Sequence, residues 1–237
     1  MNKIVFEKRA ELDYRANEAY KTLRTNIQFC GSDVKVITFT SCTPNEGKSS
    51  VSFNLAIAFA EIGKRVILID ADLRKSVLVG RYKVGAVECG LTHYLSGQKE
   101  LHEVMLQTDI ENMDVIFAGT FGPNPAELLE HQRFGAMIHT LKDTYDYILI
   151  DTPPLGSVID SAVVAKISDG AVLVIESNAI SYRFARDVKA QLEKSGCRIL
   201  GAILNKVHLE KKGYYGKYYG KYYGKYYGNY GNGNERN

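Results

Sequence analysis

Long apolar runs are missing from this chain of 237 residues, and none approaches the roughly 20 residues a membrane span needs. The opening stretch MNKIVFEKRAELDYR also lacks the apolar centre of a secretory signal. A chain neither embedded in a bilayer nor exported by a signal peptide is expected. Paired cysteines are absent too. Cys30, Cys42, Cys89 and Cys197 stand apart without CxxC spacing, which argues against a disulfide framework or zinc site and for reduced thiols in a cytoplasm. Nor does the body carry excess positive charge. The net charge of +3 hides a split, because residues 211–237 hold six Lys/Arg against one acid, Glu235. That tail balance of +5 leaves residues 1–210 at −2, so a basic nucleic-acid-binding body is not expected.

What is present is ordinary for a globular domain with a sizeable core: 45% hydrophobic and 24% charged residues. EAYKTLRTNIQF, from Glu18 to Phe29, reads as a helix with Ala19, Leu23 and Ile27 on one side. Val34–Ser41 reads as a strand, followed by a short turn and a helix ending at Gly63. Arg65–Asp72 is a second buried strand, and residues 74–112 are loop-rich, punctuated by Gly80, Gly85, Gly90 and Gly97. MDVIFAG is a third strand, and PAELLEHQRFGAMIHTLK a single helix opening on Pro125. The second half alternates again: YDYILIDTPP, a helix from about Ile159, GAVLVIES, a helix from Ser181 to Ser195, and RILGAILNKV. Near-continuous apolar strands alternating with helices specify an α/β fold with a doubly wound, mainly parallel sheet covered on both faces.

After Lys212 the composition changes. GYYGKYYGKYYGKYYGNYGNGNERN repeats Gly-Lys-Tyr-Tyr with period four and holds nine of the sixteen tyrosines. These are Tyr214, Tyr215, Tyr218, Tyr219, Tyr222, Tyr223, Tyr226, Tyr227 and Tyr230. With no aliphatic residue to bury and frequent glycine, a disordered tail is expected. Tyrosine interleaved with lysine also suits single-stranded nucleic acid or a sticky low-complexity segment.

Ser41-Cys42-Thr43-Pro44-Asn45-Glu46-Gly47-Lys48-Ser49-Ser50 lies between a strand and a helix, where a phosphate-binding loop must sit. Backbone N–H groups of such a turn surround the β-phosphate, and the helix dipole favours the anion. Thr43, Pro44, Asn45, Glu46, Gly47, Lys48, Ser49 and Ser50 are therefore candidate nucleotide contacts. Lys48 can reach the β- and γ-phosphates, and Ser49 can place its hydroxyl on Mg²⁺. The strict GxxxxGK[ST] pattern fails at its first position, where Cys42 stands. Two further apolar strands end in acids, Asp70 with Asp72 after VILI, and Asp151 after ILI. Strand carboxyl ends line the crevice of a doubly wound sheet, so these carboxylates can converge above Lys48.

A phosphate loop, a strand ending ILIDADLR and a strand ending ILIDTPP together resemble the deviant P-loop ATPases related to partition and division-site ATPases. Within them the chain is similar to bacterial protein-tyrosine kinases of the capsular and exopolysaccharide type, in the separate-chain form. The resemblance runs from EAYKTLRTNI through the core to the tyrosine tail, and the absence of a lysine in the loop before Lys48 favours the kinase branch over the partition ATPases. Three departures stand out: Asn45 replaces a usual glycine, Ser76 replaces a usual proline in Arg74-Lys75-Ser76, and Lys21 replaces an arginine in a Glu-x-x-Arg-x-x-Arg signature.

The resemblance implies an ATP- and Mg²⁺-dependent kinase whose tail tyrosines accept phosphate in a neighbour's site. Lys48, Asp70, Asp72 and Asp151 are then catalytic. The resemblance, and not the spacing, guides the split of roles: Asp70 faces the metal directly or through water, Asp72 orients the tyrosine hydroxyl or takes its proton, and Asp151 holds a metal-bound water or Ser49. Arg74 and Lys75 either meet phosphate charge or lie on the surface, and Asn205 either recognises adenine or ends its strand as a turn residue. Glu18, Lys21 and Arg24 are expected at contacts that close a ring of copies. The expected organisation is a helical segment 1–32, a kinase domain 33–210 and a tail 211–237. The resemblance also implies a membrane-bound activator, a protein-tyrosine phosphatase, sugar-nucleotide dehydrogenase substrates, a cytoplasmic location at the inner membrane face, and no nucleic-acid partner. The rival reading is a partition-type ATPase with a binding tail.

Overall fold

The computed structural model describes residues 3–207 apart from Ala10, Phe121 and Pro123. The tail tyrosines, Tyr214 to Tyr230, lie outside the described residues. Among the described residues seven strands form one sheet: β1 (Val36–Ser41), β2 (Val66–Asp70), β3 (Leu106–Gln107), β4 (Met113–Ile116), β5 (Tyr147–Asp151), β6 (Gly170–Glu176) and β7 (Ile199–Asn205). Their spatial order is β3-β4-β2-β5-β1-β6-β7, and every pairing is parallel except β3 with β4. Among the described residues nine helices connect or flank them: α1 (Tyr14–Gln28), α2 (Lys48–Ala60), α3 (Leu78–Tyr82), α4 (Leu91–Leu95), α5 (Leu101–Val104), α6 (Pro125–Glu130), α7 (Gln132–Thr144), α8 (Asp160–Ala165) and α9 (Tyr182–Glu193).

Alternation along the strands sends side chains to opposite faces of the sheet, and the two larger of the three buried apolar clusters form there. Val66 and Leu68 of β2 join Ile37, Phe39 and Leu149 against Phe53, Leu55 and Phe59 of α2. Ile67 and Ile69 join Val36, Ile148 and Ile150 against Phe134, Met137, Ile138 and Leu141 of α7. Burial on both faces explains why these strands read as continuous apolar runs.

Three expectations need correction. The helix anticipated from Pro125 is two helices, because His131 takes an extended conformation (φ −64°, ψ 143°) and its ring accepts the Arg133 N–H at 3.2 Å, capping α7. The loop-rich stretch contains β3, two residues held antiparallel to β4, too short to carry a sequence pattern. The described residues do not cover the sheet on both faces throughout: at edge strand β7, Gly201 and Ala202 are exposed, as is Leu204.

The placement of β5 between β1 and β2 positions the site. Asp151 is in register with Asp70 on one side and Phe39 on the other, so two acid-bearing strand ends meet beside the loop leaving β1.

Candidate active site

The loop after β1 enters α2 through two left-handed residues, Asn45 (φ 68°) and Gly47 (φ 93°). Asparagine is among the few side chains tolerated there, which accounts for its presence where glycine is usual. Gly47 is held more strictly, since a Cβ would lie 2.1 Å from Asn205 Nδ2. The Asn205 amide donates to the Glu46 carbonyl at 2.9 Å, and thereby clamps the loop to the end of β7. The Glu46 carboxylate is buried, accepting from the Thr43 N–H at 2.7 Å and the Glu176 N–H at 3.3 Å. Glu46 and the Thr43 N–H therefore brace the loop internally. Pro44 and Asn45 are exposed at its tip. Among the described residues no side chain caps α2, so its first turn presents backbone N–H groups of the kind that bind anions.

Lys48, the first residue of α2, reaches across to the acids. Its Nζ lies 3.2 Å from Asp72 Oδ2, 3.7 Å from Asp151 Oδ1 and 3.3 Å from Ser49 Oγ. All four side chains are buried, with Asp70 beside them wholly so. Burial opposes the Lys48 charge, but Asp151, Asp72 and Asp70 outweigh it and hold the ammonium above its ordinary range. Asp70 is pushed up to about 7, first by burial and then by the neighbouring Asp151 charge. Burial also raises Asp151, against the pull of Lys48 and a bond from Ser49. Cys42 at the loop's start is pushed up to about 12 by burial and by Glu46, which makes it an inert packing residue.

The segment after β2 folds around Asp70. The Asp72 N–H donates to Asp70 Oδ1 at 3.2 Å, and the Ser76 hydroxyl donates to Asp70 Oδ2 at 2.5 Å. The Lys75 N–H meets Asp72 Oδ1 at 3.0 Å. The serine standing in place of proline thus supplies a hydrogen bond that favours Asp70 as carboxylate. Arg74 is engaged within the chain. Its guanidinium forks onto Asp160, with Nε 2.8 Å from Oδ2 and Nη2 3.0 Å from Oδ1. Lys75 is exposed. Ser50 accepts from Arg81, an arginine that sequence reasoning passed over because it sits in the loop-rich stretch.

The donor set suits Mg²⁺, which prefers hard oxygens and takes one or two protein ligands plus phosphates. Asp151 Oδ1 is buried with no hydrogen-bond partner among the described residues, and Ser49 and Asp70 are its neighbours in the site. No cluster of three His, Cys, Asp or Glu among the described residues forms a protein-only metal cage. The predicted ring contacts are engaged within the chain. Lys21 pairs with Glu18 at 2.8 Å, and Arg24 donates to the Ala58 carbonyl at 2.6 Å, tying α1 to α2.

A family profile described as an AAA domain matches residues 34–195. The tyrosine-protein kinase CpsD of Streptococcus agalactiae is 42% identical over 194 residues, 82% of this chain and 85% of that protein. The Streptococcus pneumoniae CpsD is 41% identical over 214 residues, 90% of this chain and 94% of its own. Among solved structures, the chimerical protein CapA2B2 superposes with a TM-score of 0.79 at 29% identity, covering 86% of this chain and 93% of that one. The kinase domain of the Escherichia coli tyrosine kinase ETK gives 0.77 at 35% identity over 81% and 76% of the two chains. The septum site-determining protein MinD of Pyrococcus horikoshii, complexed with Mg-ADP, gives 0.64 at 28% identity over 75% and 72%. The fold and the buried lysine among strand-end acids agree with these likenesses, and the chain belongs to the bacterial protein-tyrosine kinases of the P-loop ATPase superfamily.

Proposed function

We propose that this tyrosine kinase phosphorylates the Gly-Lys-Tyr-Tyr repeat of another copy of itself, using ATP and Mg²⁺ at the crevice around Lys48. The observation that carries the reading is the Lys48 ammonium held between Asp72 and Asp151 at the start of the phosphate-loop helix. Phosphoryl transfer asks mainly for positioning and charge stabilisation, which a fixed cation at this place supplies. Ser49, Asp70 and Asp151 would hold the metal, which when bound neutralises charge on the β- and γ-phosphates. Lys48 exchanges its carboxylate partners for phosphate oxygens, and Asp72, thereby released, orients the incoming tyrosine hydroxyl and receives its proton. A free tyrosine titrates near 10, so a carboxylate at the hydroxyl aids the transfer. Asn205 meets the adenine edge with its amide oxygen, while its nitrogen stays on Glu46.

Each phosphate adds about −1.5 to −2 to a tail whose balance is +5, so a few transfers reverse its charge. The reversed tail is repelled by the acidic site, which gives release and loosening of a ring through Glu18, Lys21 and Arg24. No described helix is long and apolar enough to cross a membrane. Recruitment to the inner membrane face by a membrane-bound activator, reversal by a phosphatase, and control of capsular or exopolysaccharide synthesis through sugar-nucleotide dehydrogenases complete the proposal.

Transfer between copies is tested by mixing Lys48→Met protein carrying an intact tail with active protein whose nine tail tyrosines are Phe. Phosphotyrosine on the Lys48→Met copy is expected. A Lys48→Met copy left unmodified, while the active copy consumes ATP, would favour the partition-type ATPase.

A further inference from the structure

We infer that Arg74 and Asp160 form a positioning pair that sets the Asp70–Ser76 segment in the geometry phosphoryl transfer requires. The inference rests on the kinase reading of the site and adds two residues to it that touch neither nucleotide nor tyrosine.

Asp160 is the first residue of α8 and is fully buried, and among the described residues its carboxylate pairs with Arg74, 86 positions away. Two hydrogen bonds, 2.8 and 3.0 Å, make the contact bidentate, so it fixes direction as well as distance. What each partner is attached to gives the pair its meaning. Arg74 lies two residues beyond Asp72, inside the segment that wraps Asp70 through the Asp72 N–H and the Ser76 hydroxyl. Asp160 stands on a rigid floor. The Pro153 carbonyl accepts from the hydroxyls of Thr40 and Ser161, the Leu155 N–H meets the Ser41 carbonyl at 2.8 Å, and the Thr152 hydroxyl meets the Phe39 carbonyl at 2.7 Å. That floor joins β1, the loop after β5 and the start of α8. The fork therefore ties the acid-bearing segment after β2 to the same scaffold that carries Asp151 and feeds the phosphate loop.

Lysine cannot replace the fork, because an ammonium has no planar pair of donors for both carboxylate oxygens. A displacement of reacting groups by about 1 Å costs about a hundredfold in rate. Arg74→Lys and Asp160→Asn should each lower kcat for tail phosphorylation by about that factor in the full chain. The dissociation constant of a fluorescent ADP analogue measured without Mg²⁺ should stay within about threefold, because the loop from Cys42 to Ser50 is untouched. The double variant should be no slower than either single one, as expected for two halves of one device.

Thermal melts of each variant accompany the kinetics, which are run well below every melting point. Wild-type kcat in both single variants would overturn the inference. So would nucleotide affinity falling in step with kcat, which would place Arg74 on the phosphates, or additive losses in the double variant. If the wild-type chain consumes ATP yet labels no tyrosine, the kinase reading fails by itself. ATP turnover in the same variants then still reads the pair.

Discussion

Two charged clusters in this protein use the same residue types to opposite ends. On α1, Glu18 and Lys21 satisfy each other at the surface, and Arg24 is satisfied by a backbone carbonyl of α2. At the strand ends, three buried acids share one buried lysine, and one oxygen of Asp151 has no hydrogen-bond partner among the described residues. Surface pairs gain little because water screens them. Buried like charges are costly, and a fold retains them where ligand charge completes the arrangement. The strand-end cluster has charge that a cation and phosphates would complete, whereas the α1 patch is satisfied within the chain.

The largest effect expected is at the buried cluster. Lys48→Met should lower tyrosine phosphorylation by about a hundred- to a thousandfold, read by phosphotyrosine immunoblot at saturating ATP. Retained activity would show that the buried cation is not the group neutralising transferred charge. Gly47→Ala comes next, because it combines a left-handed φ of 93° with a Cβ 2.1 Å from Asn205 Nδ2. It should cost about 1–3 kcal/mol in denaturant melts and abolish nucleotide binding.

A pH series sharpens the contrast further. Asp70 titrates at about 7 when folded against an ordinary 3.8, so the folded chain binds a proton there that the unfolded chain has released. Stability without Mg²⁺ should therefore fall as pH rises from about 4 to about 7 and level off above. Asp70→Asn should flatten that slope, and an unchanged slope would contradict the burial argument. The smallest effects belong to α1. Arg24→Ala should cost about 1 kcal/mol through the lost bond to Ala58, while Lys21→Ala should leave the melting temperature unchanged. A large loss on Lys21→Ala would mean that the patch is not the relaxed surface its contacts describe.

The centre of the fold and the main acids were legible because their signal is local. Strands buried on both faces read as apolar runs, and an acid ending such a run is visible in a few residues. Lys48, Ser49, Asp70, Asp72 and Asp151 come together because β5 pairs with both β1 and β2. The braces were not legible, because their partners are far apart in the chain. Glu46 reaches Glu176 across 130 positions, Asn205 reaches back 159 to the loop, and Arg74 finds Asp160 across 86. Asp160 in sequence is indistinguishable from an ordinary helix-opening acid. The break at His131 and the open face of β7 were hidden for a related reason, since apolar patterning records preference for burial and not whether a neighbour covers the face.

The most direct test of the central claim is a mass-spectrometric map of residues 213–231 after co-expression with the proposed membrane-bound activator, for wild type and Lys48→Met. Phosphate on the tail tyrosines of the wild type alone is the predicted result. An unmodified wild-type tail, with Mg²⁺-dependent ATP hydrolysis intact, would contradict it and make the tail a binding element.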